Sequence, residues 1–478
     1  MRADEQELRI LREEVAQITE KIIELLALRN ERSRAIGQLK RRMNVALLDL
    51  NAEKDLRERI ARVAQRHGLD PESTQRTLTF LFQESLRQQS SIEDREGPRI
   101  THMDIFRKAK QLESSGQKVI HLEVGEPDFG APLEVHRTLS EAAISGYAKY
   151  GEAKGLPELR ERIIEYLDER FGVRRSPQEV LVVPGGRFGV YAAAAALLSP
   201  GDEQLVIDPS WPLYKQAAQL LHARPIAIKT TLEDSWLPRV EDVENSLSSA
   251  TRLLVLNSPN NPTGAVIDRR LMEEIVEVCR KRSIYVLSDE VYMDYCFTEH
   301  YSVLETGYEK SLMLMSFSKS WGMTGYRVGF LVGERAMIDR AASVQAMLMT
   351  CVPEFIQRAA FKALEDNETP KVYGRVMKER ISEICKWLDS MPVSYMRPRG
   401  GMYVFPKIDV KGIDTAEIAL KLLEKDRVAI APGTAFGDYK DHLRISAGTS
   451  SEEIAEGLRR LKTYVDSYRR PPLGVKDF

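Results

Sequence analysis

The chain has 478 residues, of which 43% are hydrophobic and 29% are charged, which is typical of a soluble globular protein. The 69 Lys and Arg residues nearly cancel the 71 Asp and Glu residues, so the overall charge offers no attraction for nucleic acid or an anionic membrane. The sequence shows no signal peptide and no uninterrupted run of the roughly 18 apolar residues that a membrane span needs. Its four scattered cysteines form no metal motif and favour a reducing cytoplasm.

The first 95 residues differ in composition from the rest of the chain. They contain two of the 29 glycines and one of the 22 prolines, and 35 of them are charged, which predicts helices. After a polar segment that ends in Gly97 and Pro98, short apolar runs alternate with amphipathic stretches. We therefore expect an all-α three-helix domain over residues 1–95 and an α/β domain over residues 98–475.

The first helix carries an apolar stripe. Apolar residues recur every three or four positions, at Leu8, Leu11, Val15, Ile18, Ile22 and Leu25, and again at Ile36, Leu39 and Met43. This spacing predicts a helix of roughly 40 residues that needs partner helices to cover its stripe, which favours a dimer. Arg29 and Arg32 stand where the repeat calls for apolar residues, so they indicate either a polar layer that fixes the helix register or an anion site.

Two further helices are predicted, from Asp49 to about Arg66 and over about 72–90. All three helices place polar groups on a face that should point inward, at Arg12, Arg29, Lys40, Asp49, Glu53, Ser85 and Gln89. Several cations and hydrogen-bonding groups that converge in this way predict a pocket for a small dianion.

The segments LREEVAQITEKIIELLALRNERSRAIGQLK, LLDLNAEKDL and LFQESLRQQ resemble the all-helical class of chorismate mutases over residues 5–91. The resemblance implies an intertwined dimer whose chorismate site contains Arg29, Lys40, Asp49, Glu53, Ser85 and Gln89, with Arg12 reaching into the partner's site. It implies catalytic roles for Arg29, Lys40 and Gln89, of which the last two face the ether oxygen of chorismate. Ala52 departs from the family, which often has an arginine just before this glutamate.

In the second domain, polar motifs follow four predicted strands, at 180–183, 252–256, 284–288 and 312–315. The motifs are PGGR, NSPNNPTG, the DEVY segment that begins at Asp289, and SFSK, which ends at Lys319. Sites in α/β folds form at strand ends. The two glycines of PGGR also open an alanine-rich helix, whose first backbone N–H groups suit a phosphate.

The motifs HLEVGEPDF, GGR, PSWPLY, NSPNNPTG, SDEVY, SFSK, GYRVG and HLRISAGT occur in the order found in fold type I pyridoxal-phosphate aminotransferases of class I/II. The resemblance covers about residues 98–470. It implies a homodimer with a mostly parallel sheet, a large cofactor-binding part at about 135–335, and a smaller domain built from 98–134 and the C-terminal stretch.

The same resemblance assigns site residues. Lys319 matches the lysine that forms the Schiff base and moves the proton, and Asp289 matches the partner of the pyridine nitrogen. Arg444 matches the clamp for the substrate α-carboxylate, with Gly125 near it. The remaining cofactor-binding positions that it implies are Asn261 and Tyr292 at the phenolate oxygen, Trp211 stacked on the ring, and Gly186, Arg187, Ser316, Ser318, Arg327 and the partner's Tyr150 at the phosphate.

The two resemblances together favour a bifunctional enzyme of aromatic amino acid biosynthesis that uses pyridoxal phosphate and no metal. Its substrates would be chorismate, an amino donor and a 2-oxo acid: prephenate, phenylpyruvate or 4-hydroxyphenylpyruvate. An alternative is an aspartate or broad-specificity aminotransferase whose helical domain serves in regulation or dimerisation. A lyase or decarboxylase on the same fold is a further alternative, which Arg444 and the complete motif set disfavour.

Overall fold

A computed structural model describes residues 2–43, 50–90, 100–410 and 414–467 of the chain. By its internal contacts the chain divides into two compact units. The first comprises Met1–Pro98 with Pro200–Asp202, and the second comprises Arg99–Ser199 with Glu203–Phe478.

The described residues of the first unit form three α-helices: α1 (Arg2–Arg42), α2 (Leu50–Arg66) and α3 (Pro71–Ser90). The second half of α1 packs against α3 at Gly37, where a Cβ atom would lie only 2.8 Å from the Gln89 Cα. Glycine therefore permits a close approach of the two helices. The predicted all-α, three-helix unit is confirmed.

The described residues of the chain do not cover the apolar stripe in the first half of α1. Leu8, Leu11, Val15, Ile18, Ile22 and Leu25 are each at least 47% exposed. Soluble proteins rarely leave so continuous an apolar surface in contact with water. This helix thus has the surface of an element that packs against another molecule.

The described helices of the second unit are α4 (His102–Ser114), α5 (Leu133–Ile144), α6 (Pro157–Phe171), α7 (Gly186–Leu197), α8 (Leu213–Leu220), α9 (Val240–Ser246), α10 (Arg269–Lys281), α11 (Phe317–Ser320), α12 (Arg335–Met349), α13 (Glu354–Leu364), α14 (Glu368–Leu388), α15 (Thr415–Asp426) and α16 (Ser451–Ser467). The strands are β1 (Ile120–His121), β2 (Val180–Val183), β3 (Glu203–Asp208), β4 (Arg224–Lys229), β5 (Thr251–Asn257), β6 (Tyr285–Asp289), β7 (Ser311–Ser316), β8 (Gly329–Val332), β9 (Val393–Ser394), β10 (Tyr403–Val404), β11 (Lys407–Ile408), β12 (Val428–Ala429), β13 (Ala431–Pro432) and β14 (Leu443–Ser446).

Seven strands form the central sheet, in the order β2-β8-β7-β6-β5-β3-β4. Strand β8 is antiparallel to both of its neighbours, and the other pairs are parallel. The strands are apolar runs because helices cover both faces of the sheet. Along β2, Val180 and Val182 contribute to the core on one face, while Leu181 and Val183 contribute to the core on the other. The predicted mostly parallel sheet is confirmed.

A separate core lies in a smaller lobe that combines α4 and β1 with α14, α15, α16 and the short strands of the C-terminal part. Strands β13, β14 and β10 form an antiparallel sheet in this lobe. This sheet carries Arg444 on its middle strand, so the smaller lobe supplies a side chain to the site at the end of the large sheet.

Within the described part of the chain, no helix is both long and apolar enough to cross a membrane. The same residues contain no group of His, Cys, Asp and Glu side chains arranged to hold a metal ion. All four cysteines are free thiols: Cys279, Cys351 and Cys385 are buried, and Cys296 is partly exposed.

Candidate active sites

In the first unit, a cationic group lies between α1 and α3. The Arg29 Nη1 donates hydrogen bonds to the Leu81 carbonyl at 2.7 Å and to the Ser85 Oγ at 2.5 Å. The Ser33 and Ser85 hydroxyls are 2.9 Å apart. Burial lowers the pKa of Arg29 because it disfavours the charged form. The structure thus brings Arg29 and Ser85 together in a fixed geometry.

The other positions predicted for this site lie on the same three helices. Lys40 and Glu53 are half-buried, and Gln89 is buried against α1 at Gly37. Asp49 lies outside the described residues. The half-buried Lys40 and Glu53 are consistent with a polar pocket, because the side chains of such a pocket must remain partly accessible to a ligand.

Two arginines of α1 behave differently from Arg29. Arg32 is exposed within the chain, as are the apolar residues of the same repeat on either side of it, Leu25 and Ile36, so its place in the repeat stays a prediction. Arg12 is also exposed and lies 17 residues before Arg29, which is about 25 Å along a straight helix. Arg12 therefore cannot reach the Arg29 group of its own chain, as expected for a residue that serves a partner's site.

One buried cation of this unit, Arg57, was not predicted from the sequence. Arg57 lies one helical turn after Glu53, is 7% exposed, and has its guanidinium carbon 4.9 Å from the centre of the Phe82 ring. Its spacing of four residues from Glu53 was the available signal, because residues four apart share a helix face. Arg57 thus adds a buried guanidinium to the half-buried one of Arg29 in the three-helix unit.

In the second unit, a cavity of about 290 Å³ lies at the end of the large sheet. The predicted residues that line it are Gly125, Gly186, Arg187, Trp211, Asn261, Asp289, Tyr292, Ser316, Ser318, Lys319, Arg327 and Arg444. They come from segments far apart in sequence, which the fold collects because the strand ends meet at one edge.

Lys319 lies in α11, directly after β7, and its Nζ donates a hydrogen bond to the Gly125 carbonyl. Burial lowers its pKa from 10.5 to about 8, and the nearby Arg327 and Arg444 act in the same direction. Roughly a tenth of the amine is therefore uncharged at pH 7, far more than for an ordinary lysine, and the uncharged form is the one that acts as a nucleophile or base.

Asp289 ends strand β6 and is 2% exposed. The Tyr214 hydroxyl donates to its Oδ2 at 2.7 Å, and the Val291 N–H donates to its Oδ1 at 3.3 Å. Burial raises the pKa of Asp289 from 3.8 to about 6, although the hydrogen bond from Tyr214 opposes the rise. A carboxylate held in this way favours a positively charged group beside it.

Arg444 is 3% exposed and lies across the cavity. Its Nη1 donates to the Asn261 Oδ1 at 2.9 Å, its Nη2 donates to the Glu123 carbonyl, and its guanidinium carbon is 4.3 Å from the centre of the Tyr403 ring. Its Nε is buried and makes no hydrogen bond. The planar Arg444 guanidinium is thus held in place while its Nε–H donor has no partner, an arrangement that suits the binding of a carboxylate.

One end of the cavity is a cradle for an anion. Gly185 has a φ of 80°, and a Cβ atom there would lie 2.8 Å from the Arg327 Nη2. Gly186 begins helix α7, so backbone N–H groups and the positive end of the helix dipole face the same space. The Ser316 hydroxyl donates to the Ser318 hydroxyl at 2.9 Å at this end. The cradle fits a phosphate in size, charge and donors.

The ring of a planar cofactor would lie between this cradle and Asp289. Trp211 and Tyr214 pack edge to face with ring centres 5.6 Å apart, and the Arg187 guanidinium carbon lies 5.1 Å from the centre of the Trp211 ring. The residues present therefore fit pyridoxal phosphate, with a phosphate cradle at one end, a buried carboxylate at the other and an amine between them.

Tyr150 is the one predicted position of the second unit that does not line the cavity. It is 88% exposed, so it makes no contribution to the site of its own chain. This exposure fits the expectation that Tyr150 serves a partner's phosphate cradle.

Sequence reasoning missed several lining residues: His102, Met103, Phe106, Glu123, Val124, Tyr214, Val291 and Tyr403. Tyr214 belongs to the PSWPLY motif, so its signal was present. His102 carried no motif. Burial lowers its pKa from 6.5 to about 4, with a further lowering by Arg444 and Arg187, so its ring is uncharged at neutral pH.

Two family profiles match this chain, one over each of its two candidate sites. The profile of the family described as Aminotransferase class I and II matches residues 117–461, and the profile described as Chorismate mutase type II matches residues 11–90.

Among curated proteins, an aspartate aminotransferase of Pyrococcus horikoshii is 34% identical over 75% of this chain and 93% of its own length. An aspartate/prephenate aminotransferase of Thermus thermophilus is 31% identical over 74% of this chain and 92% of its own length. Among solved structures, an aspartate aminotransferase of Thermotoga maritima matches with a TM-score of 0.73 and 35% identity, covering 77% of this chain and 98% of that one.

Proposed function

The chain belongs to the class I and II aminotransferases and carries a chorismate mutase type II domain ahead of that fold, and we propose that its two sites catalyse successive steps. The first domain, about residues 1–95, converts chorismate to prephenate, and the second, about 98–475, transfers an amino group to prephenate. This proposal rests on the presence of both domains in one chain, as a bifunctional enzyme of aromatic biosynthesis would have them. Relatives named aspartate/prephenate aminotransferase support the choice of acceptor.

The polar groups of the first unit suit the rearrangement of chorismate, which involves no proton transfer and no covalent intermediate. Arg29, held by Ser85 and the Leu81 carbonyl, binds one carboxylate of the substrate in a fixed orientation. Lys40 and Gln89 stabilise the negative charge that develops on the ether oxygen. Glu53 accepts a hydrogen bond from the ring hydroxyl of the substrate. Asp49 and the partner's Arg12 complete the site. Catalysis then comes from orientation and charge stabilisation.

In the second unit, pyridoxal phosphate would be held by the cradle of Gly186, Ser316, Ser318 and Arg327 and by Asp289. When bound, this cofactor supplies an electron sink for the carbanion at the α-carbon of the amino acid. The other cofactor contacts in the proposal come from Arg187, Trp211, Asn261, Tyr292 and the partner's Tyr150.

The protein's own residues then orient the substrate and move its proton. Arg444 binds the α-carboxylate of donor and acceptor in turn, which places the α-carbon near Lys319. The Lys319 amine, whose pKa is lowered to about 8 by burial, would move the proton between that carbon and the C4′ carbon of the cofactor. The negative charge of Asp289 would lie next to the cofactor's ring nitrogen and keep that nitrogen protonated.

The proposal is tested by supplying purified protein with chorismate, pyridoxal phosphate and either glutamate or aspartate, and identifying the products. Formation of arogenate, the amino product of prephenate, supports it. If aromatic amino acids form only from added phenylpyruvate or 4-hydroxyphenylpyruvate, these 2-oxo acids, and not prephenate, are the amino acceptors. Turnover of oxaloacetate without consumption of chorismate would favour an aspartate aminotransferase with a regulatory helical domain.

We also infer that the enzyme is a homodimer in which the first half of α1 packs against the partner. The apolar stripe from Leu8 to Leu25 is exposed within one chain, and burying it is favourable by about 25 cal/mol per Å². Arg12 lies on this half of the helix, away from the Arg29 group, so the same packing delivers it to the partner's site.

Replacing Val15 and Ile22 with glutamate should release this half of α1 and lower mutase activity by at least about 100-fold, because buried unpaired charges cost several kcal/mol. Both side chains are more than half exposed within one chain, so the fold of the chain itself should survive. Hydrogen exchange should show protected α1 amides in the wild type and rapid exchange in the variant. The control Gln17→Glu adds charge at another exposed position of the helix and should change little. Equally rapid exchange in the wild type would refute the inferred packing.

The raised pKa of Asp289 predicts a pH dependence of cofactor binding. Below about pH 6 the carboxyl group of the cofactor-free protein is protonated, so binding a cationic ring nitrogen requires release of that proton. Affinity should therefore fall by up to about tenfold per pH unit below 6 and level off above it. Equilibrium titrations of wild type and Asp289→Asn between pH 5 and 8 separate this effect from titration of the cofactor's own phosphate. An identical pH profile in both proteins would contradict the prediction.

A further inference from the structure

The start of helix α4 forms one wall of the cavity in the second unit. His102, Met103 and Phe106 all line this cavity; Met103 is 49% exposed, and the other two are half-buried. A capping box fixes the backbone of this turn: the Asp104 N–H donates to the Thr101 hydroxyl at 3.3 Å, and the Thr101 N–H donates to the Asp104 carboxylate at 3.0 Å. The wall therefore offers two apolar side chains and one imidazole in a defined arrangement, and the steps proposed above use none of them.

The His102 imidazole is stacked on an aromatic ring that also supports the carboxylate clamp. Its ring centre lies 5.9 Å from that of Phe436, and the two planes are 21° apart. The centre of the same Phe436 ring lies 4.6 Å from the guanidinium carbon of Arg444. A single aromatic ring therefore bridges the imidazole and the clamp. An acceptor bound through its α-carboxylate at Arg444 brings a ring-bearing side chain within reach of His102.

The imidazole has a hydrogen-bonding atom that the protein does not use. The His102 Nδ1 is buried and has no hydrogen-bond partner among the residues that the structure describes. Burial, Arg444 and Arg187 lower the pKa of His102 to about 4, so at neutral pH the ring is uncharged and carries one N–H donor and one acceptor nitrogen. A hydroxyl group both donates and accepts and so satisfies either nitrogen, whereas a carboxylate can only accept.

The side chain of the acceptor is the ligand group that still needs a partner. In the proposed function the cofactor's phosphate lies in the cradle, its ring nitrogen lies at Asp289, and the α-carboxylate of the substrate lies at Arg444. Met103 and Phe106 offer apolar contacts to a six-membered ring, and His102 offers a hydrogen bond beside them. Oxaloacetate, which carries a second carboxylate in place of a ring, would use neither kind of contact.

We propose that His102 is a specificity-determining residue that hydrogen-bonds a hydroxyl group on the ring of the amino acceptor, while Met103 and Phe106 contact that ring. This inference rests on the proposed transamination of a ring-bearing 2-oxo acid and names its substrate class. Prephenate and 4-hydroxyphenylpyruvate carry such a hydroxyl, and phenylpyruvate lacks it. The enzyme discriminates against phenylpyruvate because this acceptor leaves the buried nitrogen without a partner.

The test compares 4-hydroxyphenylpyruvate with phenylpyruvate, because these two acceptors differ only in the ring hydroxyl. With the full-length protein loaded with pyridoxal phosphate, kcat/KM should be at least about tenfold higher for the hydroxylated acceptor. His102→Phe keeps an aromatic ring to stack on Phe436 but has no nitrogen, so the two kcat/KM values should become equal. The control Met103→Ala removes an apolar contact from the same helix turn, so it should lower both values by a similar factor and keep the wild-type ratio.

A binding measurement covers the case in which His102→Phe fails to fold. The unreactive analogue 3-(4-hydroxyphenyl)propionate should bind to the wild type several-fold more tightly than 3-phenylpropionate, as followed by the change in cofactor absorbance. His102→Gln, whose amide retains a donor and an acceptor, should keep part of this preference. Equal affinities of the two analogues for the wild type, or an unchanged kcat/KM ratio in His102→Phe, would overturn the inference.

Prephenate is assayed separately as an acceptor, so that this inference and the proposed function can fail independently. Turnover of prephenate together with a ratio that does not depend on His102 overturns the inference and keeps the proposed function. A preference for 4-hydroxyphenylpyruvate that depends on His102, without turnover of prephenate, supports the inference and removes prephenate as the acceptor. Turnover of oxaloacetate alone overturns both.

Discussion

Replacing Lys319 with alanine should abolish transamination and leave the conversion of chorismate to prephenate unchanged. Lys319 is the amine between Gly125 and the Asp289 end of the cavity, and it is proposed both to bind the cofactor covalently and to move the proton. The loss should exceed about 10⁴-fold, since a positioned proton-transfer group alone contributes about 10²–10⁴-fold. Assays of both activities on one preparation measure this directly, and the visible absorbance of the lysine-bound cofactor should disappear.

The matched control for this experiment is Lys362→Ala. Lys362 is a partly exposed lysine of α13, outside the cavity, whose Nζ pairs with Glu365 at 2.9 Å, so its loss should change neither activity. The retained mutase activity of Lys319→Ala excludes general misfolding as the cause of its defect. A Lys319→Ala protein that keeps both the absorbance band and transamination would show that the lysine is wrongly assigned.

Replacing Arg29 with alanine should have the opposite effect, with loss of mutase activity and retention of transamination. The Arg29 guanidinium is held by Ser85 and the Leu81 carbonyl, so its direction is fixed before the substrate arrives. Removing one partner of a buried charge pair costs about 2–5 kcal/mol. At 1.4 kcal/mol per tenfold, we expect kcat/KM for chorismate to fall by roughly 30- to 4,000-fold.

Arg32→Ala is the control for Arg29→Ala. It removes the same kind of side chain from the same helix, three residues further on, but Arg32 is exposed. Mutase activity should stay within about twofold of wild type because surface substitutions are usually neutral within about 0.5 kcal/mol. Equal losses in both variants would mean that general charge, and no specific site, supports the activity. Unchanged turnover in Arg29→Ala would refute the assignment of the pocket.

The parts of the site that could be predicted from sequence are those at strand ends. Asp289 ends β6 and Lys319 follows β7, and these strands are parallel neighbours. Their side chains must therefore meet at one edge of the sheet once the strands are recognised. The predicted strand over 180–183 has the same bounds in the structure, because a run of four buried apolar residues between a helix and Gly185 has few alternatives.

The remainder depends on contacts between distant segments, which local patterns do not report. His102 and Tyr403 both line the cavity although they are 301 positions apart in the chain, and neither stands in a motif with a chemical signature. Arg57 was overlooked because a single arginine in a charge-rich helix is usually solvated.

Gly125 shows how a single missing methyl group controls the geometry of the carboxylate clamp. A Cβ atom at this position would lie 1.9 Å from the Tyr403 hydroxyl, and that tyrosine supports the Arg444 guanidinium on its ring face and contacts the Tyr292 hydroxyl at 3.1 Å. An alanine here would displace Tyr403 and, through it, two groups that the substrate and cofactor need. A substitution at Gly125 therefore changes the position of Arg444, which stands 319 positions later in the chain. The loop around Gly125 and the arginine clamp must change together when substrate specificity evolves.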